Sequence, residues 1–191
     1  MPPTKTPDEP LLDALADVFR RHGYEGASLS AISRATGLQR ASLYHRFPGG
    51  KAEMADAALG RVDQRFEREV LAPLASSLAP RARVEQTAQR LREFYAGGEK
   101  SCALDTLSLG DLAGPLREHM ERSLGAWIGA FAAVAQDAGL SEAEARRRAL
   151  NAVVRIQGAL VVARITGDSA PFREALDELP ATLLGGASAD D

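Results

Sequence analysis

One short stretch of the chain combines side chains that can read and hold a nucleic acid. Arginine donates two hydrogen bonds to guanine and glutamine pairs with adenine in the same bidentate way, so Gln39 and Arg40 suit base edges. A hydroxyl, a phenol and an ammonium group bind phosphate without reading sequence, which is the chemistry that Ser42, Tyr44 and Lys51 offer. These residue types at this spacing predict an interface with double-stranded DNA.

Two short helical patterns joined at Gly37 must position these side chains. Ser28 is the predicted N-cap of the first helix, which should end near Thr36. A glycine can take the left-handed conformation that reverses the chain after a helix. In the second pattern Leu43 and Phe47 recur at helical spacing and are predicted to point inward. The segment therefore reads as a helix-turn-helix.

The outer face of the second helix is predicted to meet the major groove. If its two apolar residues point inward, then Arg40, Ala41, Tyr44 and His45 share the opposite side, because residues three or four apart lie on one face. Ala41 is small enough to let the helix approach the groove closely, and its methyl group can touch a thymine methyl.

The distribution of charge agrees with this placement. Six cations between Arg20 and Lys51 face a single carboxylate, Glu25, whereas the whole chain carries a net charge of −3. A basic head on an acidic body is typical of a module that presents one end to a polyanion. The charge alone is explained equally well by a solvated face on an ordinary helical domain. The helix-turn-helix motif is what favours a DNA-binding module over that alternative.

Residues 11–54 resemble the N-terminal domain of TetR-family transcriptional repressors. The resemblance rests on Phe-Arg-Arg-His-Gly-Tyr ending an amphipathic helix, on Ser-Leu-Ser-Ala-Ile-Ser, and on Leu-Tyr-His-Arg-Phe followed by a lysine. Two features depart from the common pattern. Arg46 stands where the family more often has His or Tyr, and the Phe-Pro-Gly-Gly-Lys connection is one residue longer, as in the LmrA/YxaF-type subgroup.

What the resemblance implies is a ligand-responsive repressor, released from a palindromic operator by a small apolar or aromatic effector. The DNA contacts that it implies come from both helices and from the lysine that follows them: Ser28, Ser30, Gln39, Arg40, Ala41, Ser42, Tyr44, His45 and Lys51.

The body of the chain is predicted to be all helical. No sustained period-2 alternation occurs, and 191 residues with 45% apolar composition can bury a proper core. We expect about nine helices, including long ones at 51–71, 80–96, 115–136, 141–164 and 170–184. Ser141 and Glu144 are predicted to form a capping box at the start of the helix at 141–164. The predicted domains are a DNA-binding domain at 1–50, a ligand-binding and dimerisation domain at 51–185 and a disordered tail at 186–191. Without a run of eighteen apolar residues or an apolar signal segment, we expect a cytoplasmic protein that does not enter a membrane.

Little in the composition supports catalysis or a metal. Cys102 is the single cysteine, so neither an internal disulfide nor a cysteine-rich zinc site can form, and the three histidines are isolated in sequence. No catalytic residue, metal or cofactor is predicted. The alternative function is a small helical enzyme that acts on an apolar substrate through Cys102, with His119 or Glu99. We expect instead that Cys102 is an inert buried thiol and that His119 is solvated.

Large side chains on the predicted helices four, five, seven and eight are candidates to line an effector pocket, which the resemblance places in the C-terminal domain. Plain core packing explains such aromatic residues as well. The candidates are five apolar residues and one amide: Phe66, Phe94, Met120, Trp127, Phe131 and Gln157.

The helix at 141–165 is apolar over most of its circumference from Ala149 onward, so it needs partners on more than one side. A central core helix would satisfy this pattern. The resemblance implies instead that the last two helices form a four-helix bundle with those of a second subunit. The predicted dimer interface comprises Gly158, Val161, Val162, Ile165, Phe172 and Leu176.

Overall fold

The computed structural model describes residues 9–109 and 114–185, and all regular structure in these ranges is helical, as predicted. The predicted tail at 186–191 lies outside them. The α-helices, in chain order, are α1 Glu9–Gly26, α2 Leu29–Thr36, α3 Arg40–Arg46, α4 Gly50–Phe66, α5 Pro80–Phe94, α6 Ala103–Ser108, α7 Pro115–Asp137, α8 Glu142–Thr166, α9 Ala170–Asp177 and α10 Leu179–Leu184. A π-helical turn at Glu67–Leu71 and 3-10 turns at Ala72–Ala75 and Ala96–Gly98 complete the set.

The chain divides into two compact units, a N-terminal unit formed by Met1–Arg65 with Cys102–Arg122 and a C-terminal unit formed by Phe66–Ser101 with Ser123–Asp191. The predicted division at residue 50 differs from this one. The first four turns of α4 contribute buried side chains, Met54 among them, to the N-terminal core. These turns therefore belong with the helix-turn-helix. The assignment of separate functions to separate domains stays a prediction.

One apolar core holds the N-terminal unit together. It is built from α1 to α4 with contributions from α6 and α7, and its most deeply buried side chains include Leu15, Phe19, Ile32, Leu43, Phe47, Met54, Leu59 and Leu107. Burying a leucine or phenylalanine side chain contributes about 1.5–3 kcal/mol each. The helix-turn-helix is therefore fixed mainly by this shared core rather than by its own short helices.

A kink at Gly23 and a buried arginine fix the first helix in this core. Gly23 has φ 65°, and a Cβ atom there would lie 3.0 Å from the backbone oxygen of Thr106, so α1 and α6 can approach closely only at a glycine. Arg61 on α4 donates from Nε and Nη2 to the two carboxylate oxygens of Asp13 at 2.9 and 3.2 Å, and it also pairs with Glu9. These bonds tie α1 to the middle of α4.

The C-terminal unit is a helical bundle around α5 and α8. Helix α8 packs against α9 and α10, and α5 packs against α9, α10 and the turns that follow α4. Ser141 caps α8 as predicted, since its Oγ accepts from the Glu144 N–H at 3.3 Å. The reciprocal half of the predicted capping box is absent from the described contacts, because the Glu144 carboxylate accepts from Arg147 and Arg148.

Two of the predicted helices are interrupted, in both cases next to a proline. The helix predicted at 51–71 is α-helical to Phe66 and continues as the π-helical turn, where the Ala72 N–H bonds to the Glu67 oxygen. The helix predicted at 170–184 breaks at Glu178 into α9 and α10. Pro73 and Pro180 lack an N–H, and their rings clash with the carbonyl four residues earlier, which shifts or ends the hydrogen-bond ladder. The second break accounts for a tenth helix where about nine were expected.

By length and composition alone, α8 is long and apolar enough to cross a membrane. A third of its most apolar window is buried within the protein. The core helix of a soluble protein meets the same test. The packing of α8 against α9 and α10 covers one of its apolar sides, and another apolar side is exposed.

Candidate functional site

The turn between α2 and α3 is held by side-chain and backbone hydrogen bonds that the sequence pattern predicted in part. The Ser28 oxygen accepts from the Ala31 N–H at 3.1 Å, which confirms the predicted N-cap. Gly37 has φ 69°, the left-handed value expected after a helix. The Thr36 hydroxyl donates to the Ile32 carbonyl at 2.8 Å and accepts from the Leu38 N–H at 3.3 Å. This hydroxyl therefore closes the turn, a role that the sequence reasoning missed.

The second helix of the motif faces as predicted. Leu43 is fully buried and Phe47 is 1% exposed, whereas the residues of the predicted DNA face are exposed to solvent. The exposed residues on and before this helix are Gln39, Arg40, Ala41, Ser42, Tyr44 and His45. Ser28 and Ser30, at the start of α2, are also exposed. The inward and outward assignments are confirmed, and the DNA contacts themselves stay predictions.

A hydrogen bond joins the two helices across this face. The Arg40 guanidinium donates from Nη2 to the Ser30 hydroxyl at 2.8 Å, and both residues are exposed. The two residues are ten apart in sequence and lie on different helices, so no periodic pattern signals the bond. It fixes the arginine at the N-terminal end of α3 in the absence of DNA.

Lys51 is anchored to the end of α1. Its ammonium donates to the Glu25 carbonyl at 3.2 Å and lies 4.7 Å from the centre of the Tyr24 ring. A cation is favoured at the C-terminal end of a helix, where carbonyl groups carry partial negative charge, and over the face of an aromatic ring. Both contacts position the ammonium, and neither was apparent from the sequence.

The longer connection between α3 and α4 is well ordered by its own hydrogen bonds. The Gly50 N–H donates to the Phe47 carbonyl at 2.9 Å, and the Gly49 N–H donates to the Glu53 carboxylate at 2.6 Å. Gly50 is buried with φ 68°, so the extra glycine supplies a left-handed residue directly before Lys51.

The predicted pocket residues lie in two different places. Phe66, Phe94, Trp127 and Phe131 form a continuous edge-to-face aromatic cluster in the C-terminal unit. The ring centres are 5.3 Å apart for Phe66 and Phe94, 4.9 Å for Phe66 and Trp127, and 6.1 Å for Trp127 and Phe131. Gln157 is half-buried on α8 of the same unit. Met120 packs against the core of the N-terminal unit, so its place in a shared pocket is not supported.

Two features of the aromatic cluster are relevant to binding. Trp127 is 2% exposed, and no described residue accepts a hydrogen bond from its indole Nε1. Phe94 also lines an open cleft of about 410 Å³ whose rim carries the ion pairs Arg68 with Glu69 and Arg90 with Glu93. The remaining lining comes from Ala72 and Pro73.

The predicted dimer residues also divide into two groups. Gly158, Val162 and Ile165 are exposed on α8 and Val161 is partly exposed, while Leu150 and Val154 extend the same apolar stripe. Phe172 and Leu176 were assigned to the interface wrongly. They are 0% and 1% exposed, because they fill the core of their own unit and leave no surface for a second subunit.

The structure places the two side chains Cys102 and His119, which the catalytic alternative requires, in buried or hydrogen-bonded positions. Cys102 is a buried thiol, as expected. His119 is not solvated: its ring is largely buried and forms hydrogen bonds with Asp56 and Asp63 of α4. Among residues 9–109 and 114–185, no three His, Cys, Asp or Glu side chains are arranged so that they could hold a metal ion.

Two family models match the chain. Residues 11–58 match the model described as bacterial regulatory proteins of the tetR family, and residues 78–178 match the C-terminal domain of LmrA/YxaF-like transcriptional regulators. Two proteins of Bacillus subtilis (strain 168) are similar over most of their length. The HTH-type transcriptional regulator LmrA is 23% identical, with 86% of this chain and 89% of that protein covered. The HTH-type transcriptional regulator YxaF is 24% identical, with 90% and 92% covered.

Solved structures share the fold. A TetR transcriptional regulator from Legionella pneumophila has a TM-score of 0.81 at 18% identity, covering 91% of this chain and 95% of its own. Reduced NemR from E. coli has a TM-score of 0.76 at 20% identity, covering 94% and 98%. With the second family model matching more than half of the chain, the protein belongs to the TetR family of DNA-binding transcriptional regulators and carries a C-terminal domain of the LmrA/YxaF-like type.

Proposed function

We propose that the protein is a repressor that binds a near-palindromic operator as a homodimer and is released from it by a small apolar or aromatic effector. The observation that carries the DNA part is the exposed face of α3, where Arg40 is held by Ser30 beside Tyr44 and His45. Members of this family are regulators and not enzymes, so the alternative of catalysis through Cys102 is dropped. A repressor of this type acts on bacterial DNA in the cytoplasm.

Separate roles are assigned to the arginine and the lysine of the interface. Arg40 reads a base, because its guanidinium lies at the N-terminal end of α3, the part of a recognition helix that reaches base edges. Lys51 holds the phosphate backbone, because an ammonium is a point charge without base-reading geometry. Gln39 adds base contacts, while Ser28, Ser30, Ser42 and Tyr44 add backbone contacts and Ala41 allows close approach.

Selection from a randomised duplex library gives the operator and tests these roles. Arg40→Ala is expected to weaken binding to the selected duplex by about 1–3 kcal/mol and to relax preference at one base position. Lys51→Ala should weaken binding to selected and scrambled duplexes alike. Arg81→Ala, which removes one exposed cation from α5, is the matched control for net charge. Unchanged base preference in Arg40→Ala would exclude the base-reading role.

The effector site is assigned to the aromatic cluster of the C-terminal unit. Edge-to-face rings offer a wide apolar surface, and the Trp127 N–H is a buried donor for which no described residue is an acceptor. A buried donor without an acceptor costs about 1–3 kcal/mol, and a ligand oxygen placed there would remove that cost. This supports a flat apolar effector that carries a hydrogen-bond acceptor such as a carbonyl.

A pair of probes that differ by one carbonyl tests the assignment. Fluorenone should bind more tightly than fluorene to the wild-type protein, and the difference should vanish in Trp127→Phe, which keeps a ring but removes the donor. Equilibrium dialysis measures both, and the fluorescence of Trp127, the sole tryptophan, reports on the wild-type site. Equal affinity for the two probes would refute the role of the indole N–H.

The dimer is assigned to the exposed stripe of α8, with a second copy of the chain as the occupant. Leu150, Val154, Val161 and Ile165 fall within about 80° around the helix at 3.6 residues per turn, with Gly158 among them. A contiguous apolar stripe of this kind marks an interface, and a small residue within it lets helices approach. Two-fold symmetry would place two α3 helices on two half-sites, which is why the operator is expected to be near-palindromic.

A further inference from the structure

His119 sits in a cradle on one face of α4. Its Nδ1 is 2.7 Å from Asp56 Oδ1 and its Nε2 is 3.0 Å from Asp63 Oδ2. Gly60 lies between the two carboxylates on the same face, and a Cβ atom there would be 3.7 Å from His119 Cε1. The ring therefore spans two turns of the helix, and its side chain is 19% exposed.

Both contacts require a donor on the imidazole ring. A carboxylate accepts hydrogen bonds and offers none, whereas a neutral imidazole carries a single N–H. The two bonds can exist together only when His119 is an imidazolium with two N–H groups. Loss of one proton from the ring leaves one carboxylate facing a nitrogen lone pair, so one of the two bonds must break.

The helices that this cradle connects are the ones that run between the two units. Helix α4 reaches the C-terminal unit at its last residue, Phe66, and α7 continues into that unit after Arg122. His119 lies one turn before the end of the part of α7 in the N-terminal unit. A change in either helix within the C-terminal unit would thus reach the cradle along the chain.

We propose that His119 is a positioning residue for DNA binding, which in its protonated form locks α7 to α4 through Asp56 and Asp63 and holds the N-terminal unit in its effector-free, DNA-binding arrangement. The inference rests on the proposed function, since it adds a device that regulates operator affinity. Charge-assisted bonds of this kind are about twice as strong as neutral ones, so the lock stabilises the DNA-binding arrangement.

Other charged groups of α4 and α7 lie close in sequence to the cradle. Arg61 follows Gly60 in sequence and is engaged by Asp13 and Glu9 of α1. On α7, Glu118 is exposed beside His119, and Arg122 is exposed near the next turn. The lock therefore depends on the second proton of the His119 ring, because only the imidazolium donates to both carboxylates.

Two variants and one control test the proposal. His119→Phe keeps a ring but removes both donors, and Asp56→Asn removes one carboxylate charge while keeping the shape of the side chain. Glu118→Gln is the control, because it removes an exposed carboxylate next to His119 without touching the cradle. Hydrogen exchange of the backbone amides of residues 115–122 at pH 6 measures, without DNA, how firmly α7 is held to α4. Protection should fall in both variants and stay unchanged in Glu118→Gln.

Operator affinity measured as a function of pH shows whether the lock is coupled to DNA binding. With the duplex selected by the wild-type protein, affinity should fall at least about five-fold when the His119 ring loses its second proton, the low end of typical coupling between sites. Both variants should bind more weakly at pH 6 and lose this part of the pH dependence. His45 on the DNA face is present in every protein compared, so the difference between profiles isolates the cradle.

Each outcome separates the two ideas. Unchanged protection in His119→Phe and Asp56→Asn would overturn the lock. Lost protection with wild-type pH profiles would overturn its role in DNA binding. If His119→Phe fails to fold, Asp56→Asn decides alone through the same two measurements. A wild-type protein that enriches no duplex while the variants lose protection would refute the proposed function but leave the lock supported.

Discussion

Replacing Val154 with glutamate should dissociate the protein into monomers. Val154 is 61% exposed in the single chain and lies centrally in the apolar stripe of α8, between Leu150 and Gly158. If a second copy covers this stripe, the substitution removes apolar contact and places an unpaired carboxylate in the interface. If instead the stripe stays exposed to solvent on a monomer, the same substitution should be nearly neutral.

The size of the effect follows from the exposed fraction. Burying a whole valine side chain stabilises by about 1.5–3 kcal/mol, so covering the exposed 61% contributes about 1–2 kcal/mol per subunit. A two-fold interface contains the residue twice, which gives about 2–4 kcal/mol in the dimer. At 1.4 kcal/mol per factor of ten, the dissociation constant should rise by roughly 30- to 700-fold before the cost of the buried charge is added.

Sedimentation velocity over a range of concentrations measures this change directly. The matched control is Leu78→Glu, which introduces the same charge at a side chain that is 44% exposed outside α8. We expect Val154→Glu to sediment as a monomer at concentrations where the wild type and Leu78→Glu are dimers. A wild-type monomer, or equal dissociation of both variants, would remove α8 as the interface.

Two further predictions concern stability. The hydrogen bond from Arg61 holds the pKa of the Asp13 carboxyl below its usual range, so this pair stabilises the fold above about pH 4 and the contribution is lost as the pH falls further. The gap in urea midpoint between wild type and Asp13→Asn should therefore be wide at pH 7 and shrink by pH 3. Gly37→Ala should cost about 1 kcal/mol because φ is 69°, whereas Gly129→Ala, in an exposed helical turn with no atom within 4 Å of the new Cβ, should gain about 0.5–1 kcal/mol in thermal unfolding.

Local signals in the sequence predicted local structure well. Ser28 and Ser141 cap the helices that they were expected to cap, and Gly37 takes the left-handed conformation. The burial of Leu43 and Phe47 follows from their spacing. Each of these outcomes depends on residues a few positions apart, where chain geometry limits the choices.

Contacts between distant segments were predicted poorly. The spacing of Asp56 and Asp63 places them on one helix face, but nothing near them in sequence indicates that His119 lies between them. Phe172 and Leu176 were taken for surface because an apolar stripe has the same pattern whether its own chain or a second one covers it. Which segment covers a given face depends on tertiary packing, and helical periodicity does not encode it.

The ordered side chains of the DNA face have a consequence for the thermodynamics of binding. A long side chain that becomes fixed loses rotamer freedom worth up to about 1.5–2 kcal/mol. Arg40 is already held by Ser30, and Lys51 is already held by Tyr24 and the Glu25 carbonyl. This entropy is therefore lost on folding rather than on association. The arginine and the lysine can then meet DNA with little further ordering, and the salt dependence of affinity should be dominated by release of counterions from phosphate.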